Sequence, residues 1–441
     1  MIEQEGFLDW FRNAAPYFNA HRGRVIVVHI SGELLASEAL SDLIHDLALL
    51  HALGVRLVLV PGLRPQIEQR LAAQGIQNAY EDGLRVTDMF TMPAVHEAAA
   101  HVCTQLQAGL SMGLANSPMH GARIRVACGN YITARPIGIV KGVDHGYAGT
   151  VRRVDTVAID HALRNESVVV IPPLGFSPTG ETFNIHAENV ATEVAVELRA
   201  HKLLFMDTAA TLFDEDGARI DNISLSDALQ LHIRLRADSS TDANVLRRFE
   251  AALHACRNGV PRVHLLDSAM RGALPLELFT RDGVGTMINA DSYEDVRRAT
   301  IDDVGGILEL IEPLERDDIL VRRSRREIES SIGNYFVEQR DGAIIACAAA
   351  HPSANKQVVE LACLAVRADY RDDGRADRLL RAIQDEARQL GATRLFALTT
   401  QTTHWFRERG FVEAELSNLP VERQALVNLQ RRSKVLIKSL E

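Results

Sequence analysis

The stretch Arg371-Asp372-Asp373-Gly374-Arg375-Ala376-Asp377 opens an apolar-periodic run and holds the residue types of an anion cradle. A helix N-terminus offers unpaired backbone N–H groups and about half a positive charge, which together attract phosphate. Gly374 can take backbone angles closed to other residues, and the small Ala376 lets a ligand approach the main chain. Against this stand Asp372 and Asp373, which repel an anion and suit an ordinary acidic helix cap. Alone, the seven residues leave both readings open.

The elements that must position this loop belong to a chain of 441 residues, long enough for two or three domains. Hydrophobic residues make up 46% and charged residues 24%, as in an ordinary soluble globular protein. A formal charge of −10 argues against nucleic acid as a partner. Five dispersed cysteines (Cys103, Cys128, Cys256, Cys347, Cys363) without CxxC spacing point to a reducing compartment, with neither a metal site nor a disulfide framework. The opening MIEQEGFLDW lacks the basic and apolar segments of a secretory signal. No apolar run reaches the ~18 to 20 residues of a membrane span. A cytoplasmic protein without a membrane partner is expected.

Two halves follow. In the first, RVIVVHI (24–30) and VRLVLVP (55–61) flank a helical pattern, SVVVIPPLGF (167–176) reads as a buried strand, and VPRVHLLDSA (260–269) as the last one. The segment 122–140 reads as a β-ribbon broken at Gly129-Asn130. Such alternation predicts an α/β three-layer sandwich on a mostly parallel open sheet. Gly and Asp turn residues around 280–295 mark a boundary. The expected division is 1–285, a linker at 286–294, and 295–441. The second half predicts an α+β sheet, with a hairpin turning at Asp341-Gly342 and the Gly374 loop between a central strand and a helix.

The order of strand, VRADYRDDGRADRLL, strand, HWFRERGF and strand resembles the GNAT N-acetyltransferases across the second half. The resemblance implies that amides of the loop (Arg371, Gly374, Arg375, Ala376, Asp377) hold the acetyl-CoA pyrophosphate. It also assigns the backbone of Leu364, Ala365 and Val366 to the pantetheine arm. With amides turned inward, the two Asp side chains can point to solvent, so cradle and cap become compatible. The whole chain resembles the bacterial N-acetylglutamate synthases, an amino-acid-kinase-like domain fused to a GNAT domain. GLRVTD (83–88), AENVATEVA (187–195), LELFTRDGVGTMI (276–288), RRSRREIE (322–329), ELACLAV (360–366) and WFRERGF (405–411) carry that likeness.

Acetyl transfer to an amine needs a base for the ammonium proton, N–H donors for the oxyanion, and an acid for the departing thiolate. In ELACLAV, Glu360 is the candidate base and Cys363 the candidate proton donor. Strict alternation puts them on opposite faces of a strand, so both can act only if a β-bulge lies between them. Glutamate brings two carboxylates and calls for arginine forks. Of Arg322, Arg323, Arg325 and Arg326, most must form a solvated helix face; the resemblance singles out Arg323, with Arg431 and Ser433 near the C-terminus.

In the first half, amino-acid kinases carry Lys-x-Gly-Gly after the first strand, where this chain has His29-Ile30-Ser31-Gly32. Their triple-Gly loop is replaced by Pro61-Gly62-Leu63-Arg64-Pro65, and their Asp by Glu188. Losing the Lys and the Gly loop together disables phosphoryl transfer. The resemblance instead implies feedback inhibition by L-arginine at Lys202, His264, Glu277, Gly285 and Thr286. It also implies an N-terminal helix over 5–20 through which copies assemble into a homo-oligomeric ring, such as a hexamer. The expected activity is acetyl-CoA plus L-glutamate to N-acetyl-L-glutamate, the first step of arginine biosynthesis. An acetylglutamate kinase and a non-catalytic amino-acid sensor are the alternatives.

Overall fold

The structure, a computed structural model, describes residues 2–77, 79–81, 83–113, 119–208, 211–213, 217–238, 241–280, 282–290, 296–340, 343–371, 374–399, 402–424 and 433–440. The chain divides into two compact units, Met1–Ser292 and Tyr293–Glu441.

The first unit is built on an eight-stranded sheet. Its strand order is Asn222–Ser224, Thr286–Asn289, Arg262–Asp267, Lys202–Asp207, Val25–Ile30, Arg56–Pro61, Ser167–Val170, Arg125–Cys128. Neighbours run parallel except Thr286–Asn289 against Arg262–Asp267. The central strands VIVVHI, RLVLVP and KLLFMD are apolar along most of their length because helices cover both faces. Their side chains divide accordingly: Ile26, Val28 and Ile30 join one core, and Val27 joins the core on the other side. Three layers result, as the alternation predicted.

Two expectations need correction. Residues 125–128 and 132–136 are not one ribbon: the first pairs with Ser167–Val170 in the main sheet, the second with Gly149–Val154 in a separate four-stranded sheet. Gly129-Asn130 therefore carries the chain between sheets. The expected linker starts too early, because Thr286–Asn289 is a fully buried strand and Arg262–Asp267 is not the last. Its run TMIN, though short, covers an edge that would otherwise expose apolar side chains. The helix Ile2–His21 is tied to its own unit. Phe18 meets Phe279 edge-on at 5.0 Å, and the His21 ring lies 3.0 Å from the Leu278 carbonyl.

The second unit holds a seven-stranded sheet ordered Arg297–Arg298, Tyr335–Arg340, Ala343–Pro352, Val358–Val366, Arg394–Thr399, Lys434–Ser439, Val412–Ala414. Only Val358–Val366 and Arg394–Thr399 run parallel. The turn at Asp341-Gly342 lies outside the described residues. The helix Arg375–Gln389 lays Leu379, Leu380, Ile383 and Ala387 on the sheet at helical spacing. The basic helix begins later than its charge run: Ser324 caps Arg325–Ser330, and Glu327 closes a capping box. Arg322 and Arg323 precede it.

Candidate active site

The parallel pair comes apart along its length. Val358 to Leu361 pair with Arg394 to Ala397, and the register stops there. The strand Val358–Val366 continues against Ala343–Pro352 alone, while Arg394–Thr399 continues against Lys434–Ser439. Among the described residues, no strand pairs with the second edge of 362–366. Leu364, Ala365 and Val366 thus lie on a strand edge open to a ligand that bonds like a neighbouring strand.

The required bulge is present. Opposite Cys347 and Ala349 the register slips by one residue, and Cys363 takes a left-handed φ of 53°. Before the slip, Val359 and Leu361 pack with the helix Arg375–Gln389; after it, Cys363 and Ala365 pack on the opposite side with the helix Val304–Arg316. Ala362 packs on that side too, and Glu360 shares its parity. Glu360 and Cys363 therefore share a face.

Around that face the structure gathers residues that no motif announces. Arg423 forks onto Glu360, Nη2 donating to Oε1 at 2.8 Å and Nε lying 2.8 Å from Oε2. His351 lies directly across the ladder from Glu360. Burial lowers its pKa, as do the charges of Arg323 and Arg423, against the pull of Glu360. The thiol of Cys347 contacts the Cys363 carbonyl at 3.5 Å. Hydrogen bonding from Cys347 lowers the pKa of the Cys363 thiol against the effect of burial, and Arg323 and the Tyr335 hydroxyl act in the same direction. Of the four clustered arginines only Arg323 is half-buried, and its charge reaches Cys363 and His351. Arg325 pairs with Glu329 at 2.7 Å. Ser433 is half-buried just before Lys434–Ser439, whereas Arg431 lies outside the described residues.

Gly374 stands at φ 70° as the N-cap of Arg375–Gln389, with almost open space beside its Cα. Its conformation, not crowding, requires glycine. Arg371 is exposed and reaches back to the Val366 carbonyl at 3.4 Å. Asp372 and Asp373 lie outside the described residues. The side chains of Arg375 and Arg378 reach the buried Glu338, at 3.3 and 3.2 Å. One expectation for the loop changes. The amide of Asp377 donates to the Gly374 carbonyl at 3.1 Å, closing the first turn. Its carboxylate takes a fork from Arg409, which lies 4.1 Å from the centre of the Trp405 ring. The WFRERGF segment thus braces the start of the helix.

In the first unit, His264 and Glu277 meet at 2.5 Å, and the second Glu277 oxygen accepts from the amides of Val284 (2.7 Å) and Gly285 (2.8 Å). Thr286 accepts from the Leu212 amide at 2.9 Å, and Lys202 is buried on the strand beside His264. Both oxygens of Glu277 are thus engaged by internal partners in this structure. Burial, reinforced by Lys202, lowers His264 to about 4; burial opposes ionisation of Glu277, but His264 and the two amides hold it at about 2.

Both folded pKa values lie below the unfolded ones, so the unfolded chain binds more protons as pH falls. Stability should drop first between pH 6.5 and 4 as His264 would charge, then between about 4.5 and 2 as Glu277 would protonate. The first step is worth on the order of 3 kcal/mol. Thermal unfolding of the full chain checks it. His264→Gln, which can still donate to Glu277 but does not titrate, should flatten the loss between pH 6.5 and 4.

A kinase-type parallel sheet joined to a splayed sheet with a bulged strand and a glycine-capped helix defines a two-domain acyltransferase. Residues 24–267 match the amino acid kinase family and residues 305–411 the acetyltransferase (GNAT) family. The chain belongs to the amino-acid acetyltransferases: it is 49% identical to the amino-acid acetyltransferase of Azotobacter vinelandii, over 98% of this chain and 99% of that one. Identity to the Pseudomonas putida protein of the same name is 48% over the same shares. N-acetylglutamate synthase from Neisseria gonorrhoeae, complexed with coenzyme A and L-arginine, is 37% identical over 99% of each chain, with a TM-score of 0.89. The same synthase complexed with coenzyme A and N-acetyl-glutamate gives 0.63.

Proposed function

We propose that this chain transfers the acetyl group of acetyl-CoA to the α-amine of L-glutamate, opening arginine biosynthesis, and that L-arginine inhibits it through the first unit. The observation that carries the reading is the bulge at Cys363, which turns a base and a thiol to one face beside an open strand edge. Leu364 to Val366 would bond the pantetheine arm as a neighbouring strand does. The helix start at Gly374 to Ala376 would take the pyrophosphate, with Arg371 beside it. Glu360, oriented by the Arg423 fork, accepts the ammonium proton, directly or through a water. Backbone N–H groups of the open edge face the developing oxyanion. Cys363 returns a proton to the departing thiolate.

Arg323, with Arg431 and Ser433, holds the carboxylates of glutamate. Arg323→Lys keeps the charge but loses the planar fork, so the KM for glutamate should rise roughly tenfold while that for acetyl-CoA barely moves. Lys202, His264, Glu277, Gly285 and Thr286 form the arginine site in this reading, with arginine exchanging for part of the internal contacts of Glu277. Support comes from the synthase that binds coenzyme A and L-arginine. Among the described residues no helix is long and apolar enough to cross a membrane. A cytoplasmic ring of identical copies, with the N-terminal helix between them, completes the proposal.

Kinase chemistry finds no support in the residues that replace its machinery. Ser31 caps the short helix Gly32–Leu35, and a Cβ on Gly62 would lie 2.8 Å from the Gly32 nitrogen. These glycines serve the close approach of two strand ends. The test measures CoA release with a panel of amino acids, with and without arginine, alongside ATP consumption. Release with glutamate, suppressed by arginine and without ATP turnover, is expected. Absence of release with glutamate sinks the proposal.

A further inference from the structure

Beneath the helix Arg375–Gln389 lies a carboxylate with none of its surface exposed, Glu338. It takes no part in the proton transfers of the proposed reaction. Tyr335 and Val337 of its strand pack on the side of Val304–Arg316, and Phe336 on the side of Arg375–Gln389. Glu338 shares the parity of Phe336 and so faces that helix. The ladder to Ala343–Pro352 slips just after it, between Glu338 and Gln339. A carboxylate gives up water only where cations and hydrogen bonds replace it.

We propose that Glu338 is a positioning residue for acyl-CoA binding, clamping the first helical turn so that the amides after Gly374 face the pyrophosphate. The proposal rests on the assignment of that helix start to acetyl-CoA and adds the group that orients it. Both tethers end on one oxygen: Arg375 Nε lies 3.3 Å and Arg378 Nη2 3.2 Å from Glu338 Oε1. Arg375 and Arg378 are the first and fourth residues of the helix, three apart and on one face. A single carboxylate thus fixes the rotation of the first turn about the helix axis.

The same contact ties the two flanks of the loop together. The Arg375 guanidinium, 2% exposed, lies 5.1 Å from the centre of the Tyr370 ring. Tyr370 is itself buried and closes the turn Ala368–Tyr370 on the other side of the loop. On another face of the helix, the Arg409 fork on Asp377 braces the same turn. Gly374, the N-cap, has no side chain to tie the first amides, so their direction depends on these flanking contacts. Apolar side chains of similar volume often stabilise a buried contact as well as an ion pair does. What the two arginine tethers add is one fixed geometry.

Full-chain Glu338→Gln separates positioning from stability through two acyl donors, acetyl-CoA and acetyl-pantetheine, which lacks the pyrophosphate. With acetyl-CoA, KM should rise roughly tenfold and kcat should change less than about twofold, because hydrogen bonds to charged groups carry that much affinity. With acetyl-pantetheine, kcat/KM should stay at the wild-type value. Should the variant fold poorly, Arg378→Gln, which leaves Glu338 paired to Arg375, replaces it with the same expected pattern. An unchanged KM for acetyl-CoA, or equal losses with both donors, overturns the proposal. Calorimetric titration of CoA needs no amine acceptor and is scored in the same way. Binding weakened roughly tenfold supports the clamp, and unchanged binding overturns it. A chain that binds CoA but leaves glutamate unacetylated therefore sinks the acetylation reading alone.

Discussion

Glu360→Gln should lower turnover by roughly 10²- to 10⁴-fold, the usual worth of a positioned general base. Glutamine keeps the shape of the side chain and an oxygen that can accept from Arg423, so the local structure should survive. What it cannot do at neutral pH is take a proton from an ammonium. Affinity for acetyl-CoA should change less than about twofold, because Glu360 lies on the part of its strand that is paired on both edges, apart from the open edge. The measurement is kcat with saturating glutamate, together with calorimetric titration of CoA. Unchanged turnover would remove Glu360 as the base. Equal loss of turnover and CoA binding would mean that the substitution disturbs the strand.

The second large effect belongs to Gly374. At φ 70° an L-residue costs about 1–2 kcal/mol, and a β-branched side chain costs more. In Gly374→Val the loop should relax away from this conformation, and binding must restore it. A penalty of about 2 kcal/mol corresponds to roughly 30-fold in affinity. Gly374→Ala should lose only about tenfold or less. Since a Cβ at 374 meets nothing closer than Arg378 at 4.0 Å, the difference cannot come from collision. Titration of CoA into both variants checks the order. Wild-type affinity in Gly374→Val would mean that the loop does not hold the ligand.

How much of this was legible depended on whether a signal was local. The Gly374 loop, the amphipathic helix behind it and the parallel strands of the first unit all follow from spacing and turn residues. The need for a bulge was also readable, because Glu360 and Cys363 sit three apart on a strand and strict alternation separates them. Its realisation through a left-handed cysteine was not, since that conformation reflects packing against Cys347 and the helix Val304–Arg316. Arg423 escaped because its partner lies 63 residues away and its segment LPVERQ carries no pattern.

Two errors share one cause. Gly129-Asn130 is a hairpin signal, yet the flanking strands enter different sheets, a choice made by tertiary packing and not by the turn. Thr286–Asn289 is four residues long, too short for periodicity to reveal, and its place comes from pairing with Arg262–Asp267.

In the proposed reaction transfer is direct: Glu360 and Cys363 act together on one face, and Cys363 gives a proton and does not carry the acetyl group. Initial rates with glutamate and acetyl-CoA both varied test this most directly, joined by intact-mass analysis of enzyme mixed with acetyl-CoA alone. Intersecting lines and an unmodified chain are predicted. Parallel lines with an acetyl adduct on Cys363 would contradict the account.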